Sequence, residues 1–399
     1  MKHIILGDVH LGKGLSLGKP GSNKELNSRV KDQLNLLDHV LSKADVDGYR
    51  HIMITGDIYQ DPRPHPTIVN FFMVWLKKCE KAKVRVDIVA GNHDILRTGS
   101  YTVSALDLIP TLELPFGHVY KKVGSLKYDN VQFIFVPYRD KRMYGVQNTK
   151  VGLSHFLEEV HSSIKFSDDV PNIMVGHLSL EGCLEVGDEI ADSLNEIFVS
   201  PESFPECSHI WMGHIHHPQV LQRKEPYAAH IGSMDRSDFS QTELDRDKII
   251  VIYDDDSSSF ITETLPTRQL RQIDIDVPPN KDSSDFVINT LAVIAKREPM
   301  VDAIVRLDVQ LLGPDVPNLE RSRVETYLYE NLSVHHVCKI SESRVMSVTC
   351  SETGKLFKSD TDVRTSIKLW SSSQEFKTDD EKAMFEQFAD ECRKELEAK

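Results

Sequence analysis

Met1-Lys2-His3-Ile4-Ile5-Leu6-Gly7-Asp8-Val9-His10 opens the chain with a short apolar run that ends in a glycine, an aspartate and a histidine. The same design recurs. Arg50 to Thr55 leads into Gly56-Asp57, Val84 to Ala90 into Gly91-Asn92-His93-Asp94, Asn172 to Val175 into Gly176-His177, and His209 to Met212 into Gly213-His214-Ile215-His216. Apolar runs this short, bounded by turn residues, read as buried strands, and Val131 to Pro137 is another. Between the first two runs Leu26, Val30, Leu34, Leu37 and Leu41 recur at spacings of three or four, which places them on one face of a helix. Ile68 to Lys81 predicts a second helix, with Pro66 near its start. Strands alternating with helices predict a layered α/β fold around a largely buried sheet. Tyr227 to Ile231, Lys248 to Tyr253 and Phe260 to Leu265 have no helices between them and are expected to be antiparallel.

Composition bounds the function classes. The chain has 399 residues, of which 40% are hydrophobic, and 47 Lys plus Arg against 61 Asp plus Glu give a net charge of −14. This is ordinary globular composition, with room for two or three domains and a sizeable core. A disordered tail protein and a disulfide miniprotein are excluded. The first ten residues meet charge too early for a signal peptide, and no apolar run approaches the roughly 20 residues that span a bilayer. A cytoplasmic protein with no membrane partner is expected. Cys79, Cys183, Cys207, Cys338, Cys350 and Cys392 form no CxxC pair, so reduced thiols are expected. The acidic balance argues against broad adhesion to polyanions, so a polyanionic substrate would need local help.

A second unit is expected from Arg268. Strand Gln269 to Val277, a helix from Ser284 to Lys296, strand Val301 to Leu311, a helix from Leu319 to Asn331 and strand Val334 to Ile340 make a small α/β pattern. In the tail, Thr378 and Glu381 fit a capping box, and Phe385, Phe388, Cys392 and Leu396 line one face of a final helix. That stripe either folds back on its own core or docks on another protein.

Ligand sites in α/β sheets collect beyond the carboxyl ends of strands, so the five polar loops can converge. Asp8, His10, Asp57, Asn92, His177, His214 and His216 offer carboxylate, imidazole and amide oxygen but no thiolate. Such a set suits borderline ions, Mn²⁺, Fe²⁺ or Zn²⁺. Two ions fit better than one, with Asp57 as the bridging candidate, because paired ions clamp the attacking and leaving oxygens of phosphoryl transfer. With only Asp8 and Asp57 carrying negative charge, the loaded site would be net positive and receptive to phosphate. Any single DxH, GD or HxH is ordinarily structural; the succession of all five at strand ends is what carries the reading.

These motifs resemble the calcineurin-like metallophosphoesterases, whose pattern is DxH, GD, GNH, an isolated H and GHxH. The resemblance implies a layered β-sandwich flanked by helices. It implies one metal on Asp8, His10, Asp57 and His216, and another on Asp57, Asn92, His177 and His214. His93 would be the nonligand that stabilises or protonates the leaving oxygen, with Asp94 supporting it. Within that superfamily the opening Gly-Asp-Val-His-Leu-Gly, the GNHD loop, Ile231 to Phe239 and Thr267-Arg268-Gln269-Leu270 resemble the SbcD-type nuclease subunits. That implies a nuclease domain over 1–266, a capping domain for DNA over 267–350 and a helical partner-binding segment over 351–399. It also implies two divalent ions, Mn²⁺ first among them, acting on double-stranded DNA ends and single-stranded DNA. The implied partner is an SbcC-type coiled-coil ATPase, with the chain a homodimer within a heterotetramer.

One departure stands out: Gln60 occupies a position where the family often has His or Asp, and Gln cannot transfer a proton near neutral pH. Lys13, Arg63 and Arg97 lie beside the motif loops and are candidates for phosphate contact. A phosphatase or cyclic-nucleotide phosphodiesterase on the same metals is the alternative enzyme, although GDxxDRG and GNHE are missing. A noncatalytic scaffold is the other alternative, and it would have no need of the complete ligand set found here.

Overall fold

Side chains along the strand Lys2–Leu6 alternate between two cores. Ile4 and Leu6 pack with Leu37, Val40, Phe72, Trp75 and Leu76 of the helices Ser28–Val46 and Pro66–Ala82. Ile5 points the other way, toward Phe133, Phe135, Ile173, Val175 and Trp211. His51–Ile54 repeats the division, with Ile52 and Ile54 toward the helices and Met53 inward. The period of two lets one strand serve two cores. The computed structural model describes residues 1–21, 26–98, 101–184 and 195–345.

Two six-stranded sheets result. The first runs Ser259–Thr264, Ile249–Asp254, Lys2–Leu6, His51–Ile54, Arg85–Val89 and Gly117–Tyr120. Lys2–Leu6, His51–Ile54, Arg85–Val89 and Gly117–Tyr120 are mutually parallel. The second runs Gln219–Gln222, Tyr227–His230, Cys207–Met212, Asn172–Gly176, Gln132–Val136 and Gly124–Lys127. On its outer face Phe156 and Val160 of the helix Thr149–Ser163 pack against Ile134, Val136, Met174 and Ile210. Helices thus cover both outer faces of an α/β sandwich, as the sequence predicts.

The expectation that Tyr227 to Ile231 is antiparallel to its neighbours needs correction. Tyr227–His230 lies parallel to Cys207–Met212 and antiparallel only to Gln219–Gln222. A short polar strand, Gln-Val-Leu-Gln, takes up the edge, and its hairpin partner returns between it and Cys207–Met212. The other two runs behave as expected: Ile249–Asp254 is antiparallel to Lys2–Leu6 and to Ser259–Thr264.

The chain divides into two compact units, one of Met1–Ile273, Ala295–Leu307 and Glu325–Lys339, the other of Asp274–Ile294, Asp308–Val324 and the described residues from Ile340 on. Strands Leu270–Val277, Ile304–Leu311 and His336–Arg344, with helices Ser283–Arg297 and Arg321–Glu330, match the elements expected after residue 268. The tail helix expected around Phe385, Phe388, Cys392 and Leu396 lies outside the described residues. Among the described residues no helix is long and apolar enough to cross a membrane, and Cys79, Cys183, Cys207 and Cys338 are free thiols.

At the amino ends of the parallel strands, His3 and His51 are buried side by side, Nδ1 to Nδ1 at 3.0 Å, with Asp87 2.6 Å from His51 Nε2. Burial, with His51 adding, pushes the His3 pKa down to about 4. His3 is therefore neutral in the fold but takes up a proton in the unfolded chain below the ordinary imidazole pKa of about 6.5. Its contribution to stability is complete above that pH and is lost as the pH falls toward 4. At about 1.4 kcal/mol per pH unit, acidification from pH 6.5 to 4 is expected to cost the wild type about 3 kcal/mol more than a His3→Phe variant. Urea unfolding of both proteins at the two pH values checks this, and equal losses would refute it.

Candidate metal centre

Five loops meet at the carboxyl ends of strands from both sheets. Asp8 and His10 follow Lys2–Leu6, Asp57 follows His51–Ile54, and Asn92 and His93 follow Arg85–Val89, three adjacent strands of the first sheet. His177 follows Asn172–Gly176, and His214 and His216 follow Cys207–Met212, adjacent in the second. The turns are tight. His10, Asp57 and His214 have φ of 46°, 46° and 78°, a left-handed conformation that costs a residue with a side chain about 1 kcal/mol or more. The loops hold one another in it, for the Asp57 carbonyl accepts from the His10 N–H at 2.7 Å. A Cβ on Gly91 would lie 2.0 Å from Asp57 Oδ1, and one on Gly213 2.1 Å from Asp8 Oδ1. Those two glycines are there so that backbone can approach a carboxylate.

Every proposed ligand is found in one cluster. His10 Nε2 is 3.0 Å from His216 Nε2 and 3.4 Å from Asp57 Oδ2. The same Asp57 oxygen is 3.4 Å from His177 Nε2, which places it between the two sets. Asn92 Oδ1 lies 2.9 Å from His177 Nε2 and 3.2 Å from His214 Nδ1. Asp8 is tied down by the His214 N–H at 2.7 Å and the Thr55 hydroxyl at 3.2 Å. Ligand atoms of Asp8, His10 and His216 lie within 4.8 Å of one another, as do those of Asp8, Asp57 and His177.

His93 stands beside the cluster, its ring 5.0 Å from that of His10. Its backbone N–H donates to Asp57 Oδ1 at 2.9 Å, and its Nδ1 lies 2.8 Å from the Gln60 carbonyl. A carbonyl only accepts, so Nδ1 holds the hydrogen and Nε2 is the nitrogen left for a substrate. Asp94 is buried beneath. It accepts from the N–H groups of Ile58 at 2.9 Å, Tyr59 at 3.3 Å and Gly91 at 3.0 Å, bracing the GNHD loop against the loop after Asp57. Of the candidate phosphate contacts, Lys13 reaches the centre, its Nζ 3.1 Å from His216 Nδ1. Arg63 is exposed, beside an exposed Asp61 that accepts its N–H, and Arg97 sits on the strand Leu96–Thr98.

The donor chemistry fits cations. His177 Nδ1 lies 2.9 Å from the Thr55 carbonyl, and an imidazole hydrogen there leaves the Nε2 lone pair facing Asp57 and Asn92 oxygens. Buried lone pairs aimed at one another require a cation or a proton between them. In the ion-free chain His177 holds that proton: burial opposes its charge, but Asp57 and Asp8 outweigh burial and push its pKa up to about 10. Burial lifts Asp8 to about 6. Asp57 stays well below the carboxylate range because His177, His93 and His10 outweigh its burial. Burial, with the Lys13 cation adding, holds His10 and His216 well below the imidazole range. Imidazole, carboxylate and one amide oxygen form a hard-to-borderline set suited to a pair of divalent ions.

Sequence reasoning missed two groups here. Glu196, 2% exposed, lies with Oε1 2.6 Å from His214 Nε2. His230 is buried between the Leu180 N–H, which donates to its Nε2 at 3.3 Å, and the Gly213 carbonyl, 2.9 Å from its Nδ1, and so staples the His177 loop to the His214 loop. Neither carries a motif, so only the fold reveals them.

Residues 1–218 match the profile of the calcineurin-like phosphoesterases. The chain is also similar to the DNA double-strand break repair protein Mre11 of Archaeoglobus fulgidus, 25% identical over 247 residues, which cover 60% of this chain and 52% of that protein. The SbcD component of the nuclease SbcCD of Bacillus subtilis is 22% identical over 261 residues, covering 60% of this chain and 63% of that one. The chain thus spans between half and two-thirds of the length of these relatives. Among solved structures, a dimetal phosphatase from Danio rerio superposes with a TM-score of 0.37 and 13% identity over 66% of this chain and 99% of that one.

Proposed function

The chain belongs to the calcineurin-like phosphoesterase family, and from that premise we propose that it is the nuclease component of an SbcD-type complex that hydrolyses phosphodiester bonds in DNA. The supporting observation is the convergence of seven imidazole, carboxylate and amide donors, with His93 beside them, on one buried cluster. Asp8, His10, Asp57 and His216 would hold one divalent ion, and Asp57, Asn92, His177 and His214 the other, with Mn²⁺ the proposed metal. Such ions supply Lewis acidity and activate water near neutral pH.

The remaining work falls to the chain. Asp57 ties His93 to the cluster through its backbone N–H, and the Gln60 carbonyl holds Nδ1–H, so that in the doubly protonated imidazolium it is the Nε2 proton that can pass to the departing oxygen, leaving the neutral ring. Since a backbone oxygen does this, a Gln at position 60 does not impair it. Lys13 offers a cation at the edge of the centre for an adjacent phosphate, in keeping with the dominance of backbone neutralisation in DNA affinity. Similarity to Mre11 and to the SbcD component of SbcCD supports DNA as the substrate and an SbcC-type ATPase as partner; action on duplex ends and single strands, a homodimer within a heterotetramer and a cytoplasmic setting complete the proposal. The domains are assigned as 1–266 nuclease, 267–350 capping and 351–399 partner-binding.

The test is degradation of end-labelled linear duplex DNA with Mn²⁺, with and without an SbcC-type ATPase and ATP. Metal-dependent cleavage, stimulated by the partner, is expected. Turnover of a small phosphodiester without DNA cleavage under any condition would replace this reading with a phosphodiesterase.

A further inference from the structure

We propose that Glu196 is a positioning residue that sets the proton and the orientation of His214, and so makes one of the two metal positions competent. The proposal rests on the two-ion reading of the centre.

A carboxylate accepts and does not donate, so Glu196 Oε1, 2.6 Å from His214 Nε2, keeps the imidazole hydrogen on Nε2. The bare nitrogen is then Nδ1, the one 3.2 Å from Asn92 Oδ1 and turned to the other donors. Without Glu196 a neutral His214 could carry its hydrogen on Nδ1 and donate it to Asn92. Two ligands would then satisfy each other, and a cation would have to break that hydrogen bond to enter.

Glu196 is itself held. Its Oε2 accepts from the Ser179 hydroxyl at 2.6 Å, and Ser179 stands two residues past His177. The two-stranded sheet of Ser179–Leu180 and Phe198–Val199 clamps the segment that carries Glu196 to the strand end that delivers His177, and a bridge between Asp140 and Glu196 fixes it from another side. One small sheet thus aligns a ligand and the carboxylate that orients its neighbour. Glu196 touches none of the reacting atoms.

Partners of this kind typically account for 10–100-fold in metal affinity. The experiment is calorimetric titration of the full chain with Mn²⁺, comparing wild type, Glu196→Ala, Glu196→Gln and Glu196→Asp, with His214→Ala as reference and melting temperature recorded for each. Wild type is expected to take two ions. Glu196→Ala and Glu196→Gln should keep one at wild-type affinity and bind the other about 10–100-fold more weakly, the same position that His214→Ala is expected to weaken further, with partial rescue in Glu196→Asp. Two ions bound at wild-type affinity in both variants would overturn the proposal, and so would an equal weakening of both ions alongside a lower melting temperature. Fewer than two ions in the wild type would instead overturn the two-ion reading, and this proposal with it.

Discussion

Replacing Asp57 with Ala is expected to abolish cleavage and strip the centre of bound Mn²⁺. One carboxylate has three duties. Its Oδ2 lies 3.4 Å from both His10 Nε2 and His177 Nε2, and its Oδ1 receives the His93 N–H at 2.9 Å. Loss of a group that merely orients a ligand costs 10–100-fold in metal affinity, so loss of a group shared by both positions should exceed about 100-fold for each. The ion-free fold should suffer as well. His177 keeps its charge because Asp57 and Asp8 face it, and taking one partner from a buried ion pair costs about 3–5 kcal/mol. Metal content after dialysis, nuclease rate and urea unfolding read the three effects separately. Two ions retained by the variant would remove Asp57 from the shared position.

His93→Asn should have a different signature, with cleavage lost and metal retained. The His93 side chain hydrogen-bonds the Gln60 carbonyl, while its tie to Asp57 runs through the backbone and survives the substitution. General acid catalysis contributes about 10²–10⁴-fold, and the rate is expected to fall by that much with both ions still bound. Wild-type cleavage by His93→Asn would assign proton delivery elsewhere.

The fold could be read in the sequence where a local pattern had a local cause. Ile4, Ile5 and Leu6 are all apolar because both faces of their strand are covered, and each ligand follows such a run across a glycine. Glu196 could not be found in this way. It is one of several acids, with Glu181, Glu185, Asp188, Glu189 and Asp192, in a stretch without periodicity, and what distinguishes it is proximity to a histidine 18 residues on. Gln60 shows the complementary case: residue type drew attention to its side chain, but its backbone oxygen does the work. The direction of Tyr227–His230 was hidden because Gln-Val-Leu-Gln gives little apolar signal and yet forms the edge strand that determines it.

The donors come from both sheets, with Asp8, His10, Asp57 and Asn92 on one side of the sandwich and His177, His214 and His216 on the other. Bound ions would therefore act as rivets through the seam between two layers, closing chain loops that run from residue 8 to residue 216. Side chains in a dry apolar seam resist sliding only through packing, whereas ligands at fixed bond lengths register one layer against the other within a fraction of an ångström. The reagent that enables the chemistry would also set the alignment of the sheets, so loading the centre should tighten the whole sandwich and draining it should loosen the seam before either sheet comes apart.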